Sequence, residues 1–168
     1  SRGATKDLSS DKTNAEGTAY SSIFGGFTST GFDLSSADAG MNNSTNNYIA
    51  WCWKANGGTT STNKSGTISS TVQANTNSGF SIVTYTGSGS AATIGHGLGK
   101  APEWIIVKNR DQAEDWAVYH IFNGNTHYAL LNSGAGKVDN TYWNDTTPTT
   151  SVFSVGTDHD VNASTEKY

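Results

Sequence analysis

Apolar residues in this chain fall into short alternating runs, the pattern of strands rather than helices. Tyr48-Ile49-Ala50-Trp51-Cys52-Trp53 sets Ile49, Trp51 and Trp53 on one face and Tyr48, Ala50 and Cys52 on the other. Apolar groups on both faces predict a central strand covered on both sides. Residues 80–86 alternate Phe80 with Ile82 and stop at Gly87-Ser88-Gly89-Ser90, a turn signal. Residues 104–108 form an apolar run bounded by Pro102 and Asn109-Arg110-Asp111. Residues 116–122 end at Asn123-Gly124, a favoured hairpin turn, and residues 127–131 are the natural partner. Residues 66–72 and 151–155 complete the predicted strands. The alternation nominates Trp51, Trp53, Phe80, Ile82, Ile106, Trp116, Val118, Phe153 and Val155 as core. Each large side chain contributes about 1.5–3 kcal/mol on full burial.

Helical character is confined mainly to Asp111-Gln112-Ala113-Glu114-Asp115, too short for more than about one turn. Short strands between Gly- and Asn-rich turns predict an all-β fold, an antiparallel β-sandwich of jelly-roll or lectin-like kind, or a barrel.

The pattern also nearly repeats. Asn42-Asn43-Ser44-Thr45-Asn46-Asn47-Tyr48 returns 120 positions later as Asn162-Ala163-Ser164-Thr165-Glu166-Lys167-Tyr168. Upstream, residues 28–34 match residues 149–155 with a one-residue slip. A period of a domain's length predicts tandem repeats rather than a solenoid, whose units run to about 20–50 residues. Residues 1–57 are then the back part of a first repeat, 58–65 a Gly/Thr-rich flexible linker, and 66–168 a second repeat. After Tyr48 the first copy continues into the predicted strand, whereas the second is expected to lack this closing strand. Three sources are open: a segment encoded downstream, which is favoured, residues 48–54 folding back, or a neighbouring subunit adding a strand.

Ser, Thr, Asn and Gly make up 79 of 168 residues, a composition that also suits disorder. Five Trp, seven Tyr and six Phe argue for a buried core instead. The net charge of −4 is spread out, with no basic run to hold nucleic acid or an anionic membrane. No apolar stretch reaches the roughly 18–20 residues of a membrane-spanning helix, and Ser1-Arg2-Gly3-Ala4-Thr5-Lys6 lacks the apolar core of a signal peptide. The single cysteine, Cys52, excludes an internal disulfide and is expected as a small buried hydrophobe.

Candidate chemistry is sparse. His96 in Gly95-His96-Gly97-Leu98-Gly99 departs from phosphate-binding spacing and predicts a tight turn with local hydrogen bonds. His120 and His127 flank the expected hairpin as a cross-strand polar pair, short of the ligands a metal needs. Asp111, Glu114 and Asp115, like Asp158-His159-Asp160, read as solvated acidic loops without the calcium-loop pattern. No catalytic motif, metal site or cofactor site is expected. Asn-x-Ser/Thr triplets at Asn42, Asn43, Asn63, Asn144 and Asn162 follow from composition. The one candidate ligand site is Tyr142-Trp143-Asn144-Asp145, where a ring could cover a sugar face while polar neighbours bond its hydroxyls. Against this, Trp143 also suits a cap on the core.

Three blocks carry a resemblance: Gly79-Phe80-Ser81-Ile82-Val83-Thr84-Tyr85-Thr86-Gly87, then Gly95-His96-Gly97-Leu98-Gly99 with Ala101-Pro102, then Ile106-Val107-Lys108-Asn109-Arg110-Asp111. In this order the chain resembles a repeat of virion structural proteins in tailed, especially marine, bacteriophages. Trp116-Ala117-Val118-Tyr119-His120, Trp143-Asn144-Asp145-Thr146 and residues 151–156 look like its later parts, and residues 48–53 like its closing element. The resemblance implies a non-enzymatic protein of the virion surface, in a tail fibre or similar appendage. Its implied partners are other virion proteins, copies of itself as a homo-oligomer, and a host surface glycan. Alternatives are a carbohydrate-binding, lectin-like module or a capsid decoration protein.

Overall fold

A computed structural model of the chain describes residues 5–35, 40–134, 136–138 (backbone only) and 142–168; most of the Ser1–Lys6 stretch lies outside these. The described residues are nearly all β. Strands are β1 Phe24–Phe27, β2 Phe32–Leu34, β3 Ser61–Asn63, β4 Ser70–Asn75, β5 Phe80–Thr84 and β6 Ala92–Gly95. After them come β7 Trp104–Lys108, β8 Trp116–His120, β9 His127–Leu130, β10 Gly136–Val138, β11 Val152–Val155 and one short helix, α1 His159–Asn162. All named strand pairs are antiparallel, in the orders β1-β2, β3-β4-β5, β11-β6 and β10-β9-β8-β7. A parallel bridge between Ile68 and Ile94 ties the approach to β4 against β6.

One apolar cluster joins the sheets other than β1-β2. Ala92, Ile94, Phe153 and Val155 enter it from β6 and β11, and Val107, Ala117 and Tyr119 from β7 and β8. Val83 and Ile105 pack against it. The alternation is present, but its phase differs from expectation on two strands. Phe153, Val155 and Val118 are buried as expected, and Phe80 and Trp116 are partly buried. Ile82 and Ile106 face outward instead, because Val83 on β5 with Tyr85 just after it, and Ile105 and Val107 on β7, take the inner face. When both sets are apolar, period two cannot tell which set packs.

Residues 48–54 depart furthest from expectation. They form no strand, and Trp51 is 76% and Trp53 60% exposed, so neither is core. Their rings stack on each other at 6.5 Å, and Trp53 stacks on Phe80 at 6.1 Å. Cys52 is exposed rather than buried. A strand needs an edge to pair with, and no backbone–backbone hydrogen bond joins residues 49–53 to a neighbour among the described residues. The stretch expected as linker contains β3, where Asn63 lies so close to Gly95 that a Cβ there would collide with the Asn63 side-chain amide.

The repeated sequences make matching hydrogen bonds. Thr28 N–H donates to Gly31 O at 2.8 Å and Thr149 N–H to Val152 O at 2.9 Å. The Thr28 hydroxyl accepts from the amides of residues 30 and 31, and the Thr149 hydroxyl from those of 151 and 152. Further on, Asn46 N–H reaches Asn43 O at 3.3 Å and Glu166 N–H reaches Ala163 O at 3.4 Å. The Tyr48 hydroxyl accepts from Asn43 N–H at 2.9 Å, and the Tyr168 hydroxyl from Ala163 N–H at 2.6 Å.

Candidate functional site

Tyr142, Trp143, Asn144 and Asp145 are adjacent, but they do not form an open sugar platform. Trp143 is 1% exposed, with its ring edge-on to Tyr119 at 5.9 Å in the apolar cluster. A ring buried this way offers no face to a ligand. Tyr142 is buried as well, stacked on Tyr128 at 3.9 Å, and its hydroxyl donates to Asp160 Oδ2 at 2.6 Å. Asn144 and Asp145 are exposed, at φ of 51° and 46°. Two successive left-handed residues suit Asn and Asp, whose short polar side chains tolerate that region. They turn the chain sharply so that Trp143 can enter the core.

The polar residues with the most partners lie elsewhere. Asn109, fully buried after β7, accepts at Oδ1 from the amides of Asp111 (3.0 Å) and Gln112 (3.1 Å). Its amide nitrogen faces His159 O, the Glu166 carboxylate and the Tyr168 hydroxyl. The Tyr168 hydroxyl in turn donates to His159 O at 2.8 Å. Asn162 is equally buried. It donates to Ser90 O and Gly156 O, both at 2.7 Å, and accepts from Ser88 N–H at 2.8 Å. The turn at residues 87–90 is thus docked on Asn162, and a Cβ at Gly87 would collide with Ala163 O. In the sequence Asn109 bounds an apolar run and Asn162 opens the repeated motif, but neither position carries a signal that its side chain will be a buried bracket.

Titratable groups are similarly absorbed. His96 is buried, its Nδ1 accepts from Leu98 N–H at 3.2 Å, and its Nε2 lies 3.2 Å from Thr149 O. That pattern assigns the neutral tautomer protonated at Nε2. Burial pushes its pKa down, against the opposing effect of the Thr149 carbonyl. Asp160 accepts from Asp115 N–H at 2.9 Å besides Tyr142, and burial raises its carboxyl above the usual range. Lys108, buried, donates to Asn109 O (2.5 Å) and Gln112 O (3.2 Å), and burial lowers its pKa.

The acidic loops serve as structural acceptors. Asp111 accepts from Lys167 N–H at 3.0 Å, Asp115 from Asn132 at 2.7 Å, and Asp158 caps α1 by accepting from Asp160 N–H at 2.9 Å. Among the described residues no group of three His, Cys, Asp or Glu is placed to hold a metal. The His120 ring lies tilted against Phe122 at 5.2 Å and His127 lies 3.0 Å from the Thr126 hydroxyl, each engaged with its own neighbours. The predicted Asn123-Gly124 turn lies inside a longer connection, where Asn123 and Gly124 both donate to His120 O.

The surface instead carries apolar groups. Trp51, Trp53, Ile82, Trp104 and Ile106 are all exposed, and the last three sit on the outward faces of β5 and β7. No described helix is long and apolar enough to cross a membrane.

The family described as "Domain of unknown function (DUF7483)" matches residues 1–168, and the chain belongs to it. No curated protein and no solved structure matches the chain.

Proposed function

We propose that this chain is a non-enzymatic structural module of a tailed-phage virion, built as tandem antiparallel β-sandwich repeats in a tail fibre or other surface appendage. The recurrence of the same hydrogen-bonded turns 120–121 residues apart supports this reading most directly. A scaffold written twice suits a filamentous or arrayed part, where display and assembly are the work. Groups able to do chemistry, such as His96, Asp160, Lys108 and Asn109, are tied into brackets that hold loops and strands.

Immunogold electron microscopy on phage particles carrying the protein tests the proposal. Label along fibres or appendages is the expected result. Label spread over the capsid shell would favour a decoration protein, and absence from the particle would overturn the reading. Glycan recognition is the second reading. Burial of Trp143 removes its expected platform and leaves the stacked Trp51 and Trp53 as exposed rings. Glycan-array binding abolished by Trp51→Ala, with no label on particles, would replace the structural reading with a lectin-like one.

A further inference from the structure

The chain sets Asn directly before Gly at Asn56-Gly57 and at Asn123-Gly124, and the fold treats the two pairs differently. In such a pair the side-chain amide carbon of Asn lies within reach of the next backbone nitrogen. Glycine carries no Cβ to obstruct the approach. When that nitrogen gives up its proton to solvent and attacks, a five-membered succinimide ring closes and ammonia leaves. Water then opens the ring at one carbonyl or the other, giving aspartate or isoaspartate. The structure controls three requirements: a backbone N–H that is not donating, an Asn side chain that is not tied up, and a chain free to rotate.

At Asn123-Gly124 the first requirement fails. Asn123 N–H donates to His120 O at 2.9 Å, and Gly124 N–H is shared between His120 O at 3.2 Å and Ile121 O at 3.3 Å. Deprotonating Gly124 N–H gives up both of its acceptors. Asn followed by another small residue is blocked in similar ways. The Asn43 side chain accepts from the Thr45 amide at 2.9 Å and its hydroxyl at 2.7 Å. The Asn132 side chain bonds both Trp116 N–H and Asp115, and Asn162 is fully buried. After Asn77 the attacking amide would be Ser78 N–H, which donates to Asn75 Oδ1 at 3.1 Å.

Asn56-Gly57 meets all three. Among the described residues, neither Gly57 N–H nor the Asn56 side chain has a hydrogen-bond partner. Asn56, Gly57 and Gly58 are exposed, and no atom lies within 4 Å of where a Cβ would stand on either glycine. A single bond, Thr59 N–H to Asn56 O at 3.0 Å, closes the turn. Gly57 and Gly58 hold φ of 58° and 92°, a left-handed course that glycine takes without penalty. The turn itself therefore calls for the glycine that makes Asn56 reactive.

We infer that Asn56 is a site of spontaneous deamidation, with the Gly57 nitrogen as nucleophile and the side-chain ammonia as leaving group. Its position gives the change a structural consequence. Just before it, Lys54 O accepts from Asn75 Nδ2 at 3.4 Å and Ala55 is buried; just after it, β3 begins at Ser61 and pairs with β4. Isoaspartate inserts one extra backbone carbon between these two seated points. Either product adds one negative charge to a chain of net charge −4. The tract between the two repeated regions thus records the age of the molecule as a covalent change.

The full chain, held in warm, mildly alkaline buffer made with heavy-oxygen water, tests this by timed peptide mapping. The expected product is a peptide in which residue 56 has become aspartate and isoaspartate, each carrying oxygen from the solvent. Loss of the Gly124 amide bonds should slow residue 123 by about tenfold relative to residue 56. In urea the two sites should convert at similar rates, since both are Asn-Gly. The Asn56→Gln variant, whose longer side chain cannot close the five-membered ring readily, should lose the residue 56 product while circular dichroism stays unchanged. Equal rates at the two sites in the folded chain, or faster conversion at residue 123, would overturn the inference. So would a preference for residue 56 that persists undiminished in urea, because it would then come from flanking sequence and not from the fold.

Discussion

Tyr48 and Tyr168 end the same six-residue turn with the same hydrogen bond, yet one is 44% exposed and the other 4%. Around Tyr168 stand Tyr85, stacked at 5.1 Å, and Asn109, which reaches its hydroxyl at 3.2 Å. The backbone turn is therefore set locally, by one backbone bond across three residues and by the tyrosine hydroxyl accepting from the amide five residues before it. Burial is set by residues 59 and 83 positions away. The two tyrosines separate what a short stretch of chain can specify from what only the assembled sheets supply.

The largest expected effect breaks the pair apart. Tyr168→Ala removes a ring from the core and should cost about 3–5 kcal/mol, whereas Tyr48→Ala should stay within about 0.5 kcal/mol. Urea denaturation of both variants checks this, and equal losses would mean that Tyr48 is covered in solution. Next comes the residue that begins each motif. Asn162→Ala strips three hydrogen bonds from a buried side chain and should cost about 1–3 kcal/mol, while exposed Asn42→Ala should cost next to nothing. Thermal melts of the two variants measure the difference.

The threonine turns should converge instead. Thr28→Ala and Thr149→Ala each remove one hydroxyl acceptor serving two exposed amides. Each should cost about 1 kcal/mol, and a gap above about 1 kcal/mol between them in paired melts would show that the turns are not energetically equivalent.

The smallest effect is a pH slope at the Thr149 turn, where Thr149 O meets His96. The unfolded imidazole takes up a proton near pH ~6.5, whereas the folded one is held below that by burial. Its contribution is present above that pH and is lost as pH falls through the folded value. Asp160 works oppositely, since its raised pKa makes its contribution fade as pH rises through the folded value. Stability should therefore fall less from pH 7.5 to 5.5 in His96→Gln than in the unmodified chain, as read by chemical denaturation at each pH.

Much of the strand content was legible because large apolar runs bounded by Gly, Pro and Asn leave few alternatives. Residues 104–108 matched β7, and 80–86, 116–122, 127–131 and 151–155 each contained their strand. Strands β3 and β6 lack large apolar runs and owe their places to neighbours: Gly95 admits Asn63, and Thr93 exchanges hydrogen bonds with Thr67. The four-residue helix is held by a single cap at Asp158 and a core contact at Val161, too short for periodicity to show. At the candidate site the sequence offered a Trp among polar neighbours, but polar neighbours do not fix exposure. The left-handed pair Asn144-Asp145 sends Trp143 inward.

The three-way seat of Lys167 also has a mechanical meaning. Its neighbours bond to Tyr85 and Gly87 on one side, its own carbonyl to Arg110 on the other, and its amide to the Asp111 carboxylate. A pull on the chain at Tyr168 is therefore shared between the ends of β5 and β7 rather than peeling one of them. The load enters both sheets at once, through the same few residues whose side chains Asn109 has already locked together.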